Sequence, residues 1–155
     1  MTNQKIQLIS CGGLVIDFEN KKLLTIKVSY HQGKIEFPKG KMDQGETELQ
    51  AATREIIEET GYLDLEPLGF LGKTNFSYVD KVGETSGSAV LKTVTYFLFR
   101  LKSSKQIKDK QESHERIQNL WLDLATAKEQ LSFKNDKIVF EKALKILKKD
   151  FNLHL

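Results

Sequence analysis

Glu55, Glu58 and Glu59 stand at i, i+3 and i+4. On a helix those offsets bring three carboxylates to one face, with neighbouring Cβ atoms about 5–6 Å apart. Like charges that close destabilise a helix unless something neutralises them. Arg54, one of three arginines in the chain, lies four residues before Glu58 and can pair with it, but one guanidinium cannot neutralise three glutamates. Clustered carboxylate oxygens are hard ligands of the kind Mg²⁺ and Mn²⁺ take, usually together with substrate phosphates. Just upstream, Phe37-Pro38-Lys39-Gly40-Lys41 sets two lysines beside a flexible backbone, where they can meet phosphate oxygens. Together these residues fit metal-assisted attack of water on a phosphoanhydride, the cation lowering the water's pKa and offsetting phosphate charge.

The charge distribution supports the same reading. Residues 36–66 hold nine of the 21 acids and three bases, a net −6, which leaves +9 on the other 124 residues beneath an overall +3. A basic chain with one acidic island suits a polyanionic ligand brought to a cation site. A solvated acidic helix on a lysine-rich protein is the plainer reading, and the spacing of the glutamates favours the cation. Glu36, Asp43, Glu48, Asp64 and Glu66 fall on no position of that spacing and read as ordinary surface charge.

The elements that must position these groups are legible in outline. Leu8–Phe18 and Lys22–Val28 read as strands joined by a short turn, and Gly12-Gly13 marks a bulge or a close backbone approach. A loop-rich stretch around a short Ile35–Phe37 strand leads to the best helix, Thr47–Thr60. Thr47 with Gln50 matches a capping box, Leu49, Ala52 and Ile56 form an apolar stripe, and Gly61 suits the residue after the last turn. Strands follow at Leu65–Lys73, Phe76–Val79, Val90–Leu101 and Ile117–Leu122. Lys102–Glu112 is polar and reads as an exposed loop. Asp123 or Thr126 can cap a short helix ending near Leu131. A last amphipathic helix covers Asp136–Lys149, with Ile138, Val139, Leu144, Ile146 and Leu147 among its apolar positions. The pattern predicts a mixed sheet flanked by helices.

Composition narrows the class. With 155 residues, 39% hydrophobic and 29% charged, the chain is expected to form one globular domain over 1–155, neither fibrous nor disordered. No apolar run reaches the roughly 18–20 residues of a membrane span, and the first residues lack the features of a signal peptide. A lone cysteine, Cys11, fits a reducing, cytoplasmic setting. With three scattered histidines it makes a structural zinc site unexpected.

Gly40, Glu46 and Arg54-Glu55-Ile56-Ile57-Glu58-Glu59-Thr60-Gly61-Tyr62 also carry a resemblance. With five residues between the first two and seven before Arg54, the stretch 40–62 resembles the Nudix box, G-x5-E-x7-R-E-U-x-E-E-x-G-U, where U is bulky and apolar. All seven charged or glycine positions match, and Tyr62 stands where an aliphatic residue is commoner. The resemblance implies an α/β/α sandwich around a mixed central sheet and hydrolysis of a nucleoside diphosphate linked to another moiety. It implies one to three divalent cations, Mg²⁺ or in substitution Mn²⁺. Glu55, Glu58 and Glu59 would ligate the metal with the Gly40 carbonyl, Arg54 would orient the glutamates, and Glu46 would support that network. Glu58 or Glu59 ranks first as general base, with Glu115, a further ligand candidate, second.

Outside the box, Phe37-Pro38-Lys39-Gly40, Lys92-Thr93-Val94-Thr95-Tyr96-Phe97-Leu98 and Ser113-His114-Glu115 with Trp121-Leu122 are similar to segments of the asymmetric diadenosine tetraphosphate hydrolases. By that likeness Lys39 and Lys92 bind polyphosphate, Tyr78 stacks on adenine, and Glu115 approaches the metal site from the opposite loop. His31, Lys41 and Tyr96 are weaker candidates for substrate contact, Tyr96 being better suited to packing, and Trp121 belongs to the core. Lys41 stands where these hydrolases often carry histidine. Ile35-Glu36 replaces their usual tryptophan, and Lys81–Leu91 looks longer than their loop and is expected near the pocket mouth. The expected activity is Mg²⁺-dependent cleavage to AMP and ATP, by a monomer or weak homodimer. A triphosphorylated RNA 5′ end, a nucleoside diphosphate sugar, a diphosphoinositol phosphate and a non-catalytic nucleotide-binding module are the alternatives.

Overall fold

In the computed structural model, residues 5–81, 83, 86–107 and 116–155 are described. Among the described residues seven strands form one mixed sheet: β1 (Ile6–Asp17), β2 (Lys22–Val28), β3 (Lys34–Glu36), β4 (Lys39–Lys41), β5 (Leu65–Val79), β6 (Ala89–Leu101) and β7 (Ile117–Asp123). The path runs β3-β2-β1-β6-β5, with β4 added to β1 and β7 to β2. β1 and β6 pair in parallel over Ile6–Ile16, and the other pairings between strands are antiparallel.

Side chains alternate across a strand, and here the alternation feeds two cores. Leu14 and Ile16 of β1 and Val94, Tyr96 and Leu98 of β6 pack with Phe140, Ala143 and Leu147 of α3 (Lys134–Phe151). Cys11 and Val15 of β1 and Phe99 of β6 pack on the other face against Ala51, Ala52 and Ile56 of α1 (Glu48–Thr60). A short helix, α2 (Ala127–Gln130), lies on the α3 side, where Ala127 joins the same core. Helices on both faces of a mixed sheet make an α/β/α sandwich, as expected from the sequence.

α1 forms for the reasons its sequence announces. Thr47 is the N-cap, both arms of the capping box close on Gln50 at 3.1 and 2.9 Å, and Gly61 ends the helix at φ 83°. The buried face is Ala51, Ala52, Ile56 and Thr60, with Leu49 only partly covered. The glycine pair in β1 is a close approach. A Cβ on Gly12 would overlap Pro38 and Lys39, and one on Gly13 would strike the Phe99 ring and Ile56. The missing side chains let the Pro38–Gly40 stretch lie directly on β1, with Gly13 N–H donating to Pro38 O at 3.2 Å.

Several boundaries differ from the sequence reading. The short strand is Lys34–Glu36, and the loop expected after it contains β4, held by backbone bonds to β1 that side-chain patterns do not encode. Leu65–Lys73 and Phe76–Val79 are one strand, β5, whose irregularities fall at Pro67/Gly69 and Phe70/Gly72 rather than at residues 74–75. β6 begins at Ala89, so the loop at 81–91 is shorter than it looked. Thr126 is the N-cap of α2 but makes no side-chain capping bond. α3 starts two residues earlier and ends two later than predicted. Ile138 is 46% exposed because the buried stripe runs through Asp136, Val139, Phe140, Ala143 and Leu147 instead.

Candidate active site

α1 lays its apolar stripe on the sheet, with Arg54, Glu55 and Glu59 partly buried along its edge and Glu58 exposed. Arg54 is the hub. Its Nε and Nη2 donate to the two oxygens of Glu46 at 2.8 and 2.9 Å, a bidentate pair. Its Nη1 reaches Glu55 Oε1 at 2.8 Å and Glu58 Oε2 at 3.2 Å, and Nη2 also donates to the Lys41 carbonyl at 3.0 Å. These contacts hold the Arg54 guanidinium firmly protonated, its bonds to Glu46 being the largest influence. Glu46 in turn is held below the usual carboxylate range by Arg54 and by the Asp43 N–H.

Gly40 faces this cluster from β4. A Cβ there would fall on the Glu55 carboxylate, so glycine is required for β4 and α1 to approach. Glu59 lies deeper and accepts from the Lys39 N–H at 3.4 Å. Burial first, then the charge of Glu55, pushes its carboxyl up to about 8. Burial likewise raises Glu55, against the pull of Arg54. Carboxyls driven toward the neutral form at one helix face are the electrostatic complement of a cation. Among the described residues no three Asp, Glu, His or Cys side chains form a ready-made metal cage; Arg54 engages oxygens of both Glu55 and Glu58. Mg²⁺ keeps waters and needs only one or two carboxylates beside substrate phosphates. Glu55, Glu58, Glu59 and the Gly40 carbonyl therefore fit a hard divalent cation by donor chemistry.

Lys39 joins this face to a cavity of about 790 Å³ on the other side of β4. Its Nζ donates to Glu36 Oε1 at 3.1 Å, and His31 Nδ1 meets Glu36 Oε2 at 3.4 Å. Glu36, expected on the surface, is 4% exposed. The pairing with Lys39 three residues on makes its burial tolerable, since buried charges need partners. Lys92 lies on the same cavity, its Nζ 5.7 Å from the centre of the Phe76 ring. Burial and then the nearby charge of Lys39 lower its pKa. Phe76 and Tyr78 alternate along β5 and so share a face. Their rings lie 6.0 Å apart at 28°, about two-fifths exposed at the cavity wall.

Lys39, Lys92, Tyr78, His31 and Tyr96 thus line one cavity, with Glu59 bonded to the backbone of Lys39. Tyr96 contributes as a core residue. It is 1% exposed, packed edge-on against Phe37 at 5.5 Å, and its hydroxyl donates to Asp136. Lys41 is exposed on β4 outside the cavity lining; its carbonyl, rather than its side chain, enters the Arg54 network. Trp121 is partly buried against the α1-side core, its Nε1 donating to Tyr62 Oη at 3.1 Å. Glu115, with Ser113 and His114, lies outside the described residues. Phe76, Glu36 and Asp136 were missed. The Phe76-x-Tyr78 alternation and the Glu36-x-x-Lys39 spacing were available signals, whereas Asp136 had none beyond a helix start. Cys11 is buried and its thiol pushed up to about 11, which removes it as a nucleophile.

The sandwich, with its acidic helix entered through Gly40 and closed by Gly61, defines a class. A family model of the NUDIX domain matches residues 8–142, and the chain belongs to that family. It is 28% identical over 144 residues to the mitochondrial Nudix hydrolase 12 of Arabidopsis thaliana, covering 89% of this chain. The chain spans 66%, 56% and 29% of the lengths of the curated relatives it matches. Among solved structures, the C. elegans Ap4A hydrolase superimposes with a TM-score of 0.65 at 22% identity, covering 92% of this chain and 99% of that one. The E. coli dihydroneopterin triphosphate pyrophosphohydrolase gives 0.69 at 19% identity, covering 88% and 96%. At those identities the likeness concerns the fold. No helix among the described residues is long and apolar enough to cross a membrane.

Proposed function

We propose that this chain hydrolyses a phosphoanhydride in a nucleoside diphosphate linked to another moiety, and that its substrate is diadenosine tetraphosphate, cleaved asymmetrically to AMP and ATP. The observation that carries the reading is the junction at Lys39. Its backbone meets Glu59 of the acidic face, while its side chain opens on a cavity with a second lysine and two stacked aromatic rings. Membership of the NUDIX family and the fold shared with an Ap4A hydrolase support it.

In this reading Glu55, Glu58, Glu59 and the Gly40 carbonyl hold Mg²⁺, which when bound supplies Lewis acidity toward the phosphate oxygens. Arg54, fixed by Glu46, positions Glu55 and Glu58. Glu58 or Glu59 takes the proton of the attacking water. One phosphorus gains the hydroxyl, its bond to the bridging oxygen breaks, and that oxygen leaves on the longer nucleotide. Lys39 and Lys92 bind the polyphosphate, and Phe76 with Tyr78 stacks on a base.

Incubation with diadenosine tetraphosphate and Mg²⁺, with products identified by mass, is expected to give AMP and ATP in equal amounts. Absence of turnover overturns the substrate. A panel containing 5′-triphosphorylated RNA, a nucleoside diphosphate sugar and a diphosphoinositol phosphate then identifies which anhydride is cut.

A further inference from the structure

Glu36 makes two contacts that the proposed reaction leaves unused. It belongs to Ile35-Glu36, the pair at which the chain departs from the asymmetric hydrolases it resembles. The carboxylate is buried beneath the cavity and is part of its lining. Oε1 accepts from Lys39 Nζ at 3.1 Å, and Oε2 meets His31 Nδ1 at 3.4 Å. Each oxygen is thus given to a side chain that lines the same cavity.

The two partners in the first contact are anchored independently. Glu36 stands on β3, paired with Ile26 of β2, and the residue after it, Phe37, is fully buried. The residue before it, Ile35, exchanges two hydrogen bonds with Ser132, at 2.8 and 3.1 Å. The carboxylate therefore projects from a fixed backbone. Lys39 is fixed at its opposite end, where it pairs with Gly12 of β1 and its N–H donates to Glu59. A lysine ammonium rides on a flexible four-carbon stem. Here the stem is held by β1 at one end and by Glu36 at the other. An ammonium has three N–H donors, so the bond to Glu36 leaves it able to meet a phosphate at the same time.

We infer that Glu36 is a positioning residue, holding the Lys39 ammonium where a substrate phosphate will meet it. The rotamer freedom that a free lysine surrenders on binding is surrendered on folding instead, and groups ordered beforehand bind more tightly. A carboxylate near the cavity also repels a phosphate, and the two effects have opposite signs. Removal of Glu36 weakens phosphate binding if positioning dominates and strengthens it if repulsion does. Positioning dominates here because the carboxylate is already paired with the lysine it holds. The inference rests on the reading of Lys39 as a phosphate ligand and adds to it the residue that prepares it.

Calorimetric binding of inorganic tripolyphosphate in EDTA tests this without the metal, the base or turnover. Glu36→Met, which keeps the volume and removes both acceptors, is expected to bind about tenfold more weakly than the wild type, the scale of a lysine's rotamer freedom. Glu36→Gln, which restores an acceptor for Nζ, should recover most of that loss. In a Lys39→Ala background Glu36→Met should have no further effect, because the group it positions is gone. A merely structural role would weaken binding in both backgrounds alike. Unchanged or tighter binding by Glu36→Met, an equal loss in the Lys39→Ala background, or no binding by the wild type overturns the inference. If Glu36→Met does not fold, Glu36→Asp, whose carboxylate falls one methylene short of Nζ, is put through the same cycle and decides by the same signs. Turnover of diadenosine tetraphosphate measured in parallel separates the two readings. Tripolyphosphate binding set by Glu36 without turnover overturns the dinucleotide substrate alone, and turnover with binding indifferent to Glu36 overturns the role of Glu36 alone.

Discussion

Two charged hubs lie on either side of β4, and they are built in opposite senses. Around Arg54, one cation gathers Glu46, Glu55 and Glu58, all within 12 residues of chain. Around Glu36, one buried anion gathers Lys39 and His31 at the edge of a cavity whose other walls come from β5, β6 and α3. The first hub is a surplus of negative charge that needs a further cation. The second is balanced within itself and has two lysines facing a cavity. The comparison teaches that charge is left unbalanced on one side of β4 and paired on the other, so that under the proposed function the acidic hub would carry the chemistry and the cavity the choice of substrate, with Lys39 common to both.

The largest effect should come from the acidic hub. Glu58→Gln is expected to lower kcat by about 10²–10⁴-fold, the range of a lost acid–base group, measured with saturating Mg²⁺ and diadenosine tetraphosphate. Near wild-type turnover would remove Glu58 from the site. Arg54→Lys keeps the charge but loses the bidentate grip on Glu46. It should weaken activation by Mg²⁺ about 10–100-fold, as loss of a ligand-orienting partner does. A Mg²⁺ titration of activity reads this directly.

Smaller effects belong to the cavity. Phe76→Ala should raise KM about tenfold through lost stacking, and Lys39→Ala should raise KM with kcat little changed if the lysine binds phosphate equally before and during reaction. A Lys39→Ala variant that loses kcat and keeps KM would move Lys39 into the chemistry, and the division between the hubs would fail.

The smallest effect is on stability. Glu59 ionises ordinarily at 4.5 and near 8 in the folded, metal-free protein. Folding therefore strengthens its hold on the proton. This contribution is complete below pH 4.5 and is lost as pH rises through 8. Thermal unfolding in EDTA should show stability falling across that window, and the gain in Tm on adding Mg²⁺ should be larger at pH 8.5 than at pH 6. The slope should flatten in Glu59→Gln. An unchanged slope in that variant would assign it to another group.

What could be read in advance follows the same division. Glu46, Arg54, Glu55 and Glu58 lie on one helix and the turn before it, so 3.6-residue periodicity and a capping box were enough to bring them together. β1 and β6 could be seen as strands, but their parallel register joins residues more than 80 apart and has no local signature. Glu36 looked like surface charge because burial depends on β2, which pairs with β3, and on Lys39 finding it. Asp136 looked like a helix start because nothing near it in the chain announces Tyr96, 40 residues away.

The sequence alone determined the acidic face of α1, since helix geometry and like-charge repulsion act over a few residues and spacing encodes both. Tertiary structure decided the cavity. It placed Lys39 between the hubs and buried Glu36 and Asp136. It also stood Phe76 and Tyr78 in the same wall, because burial and pairing depend on strands and helices that meet only when the chain folds.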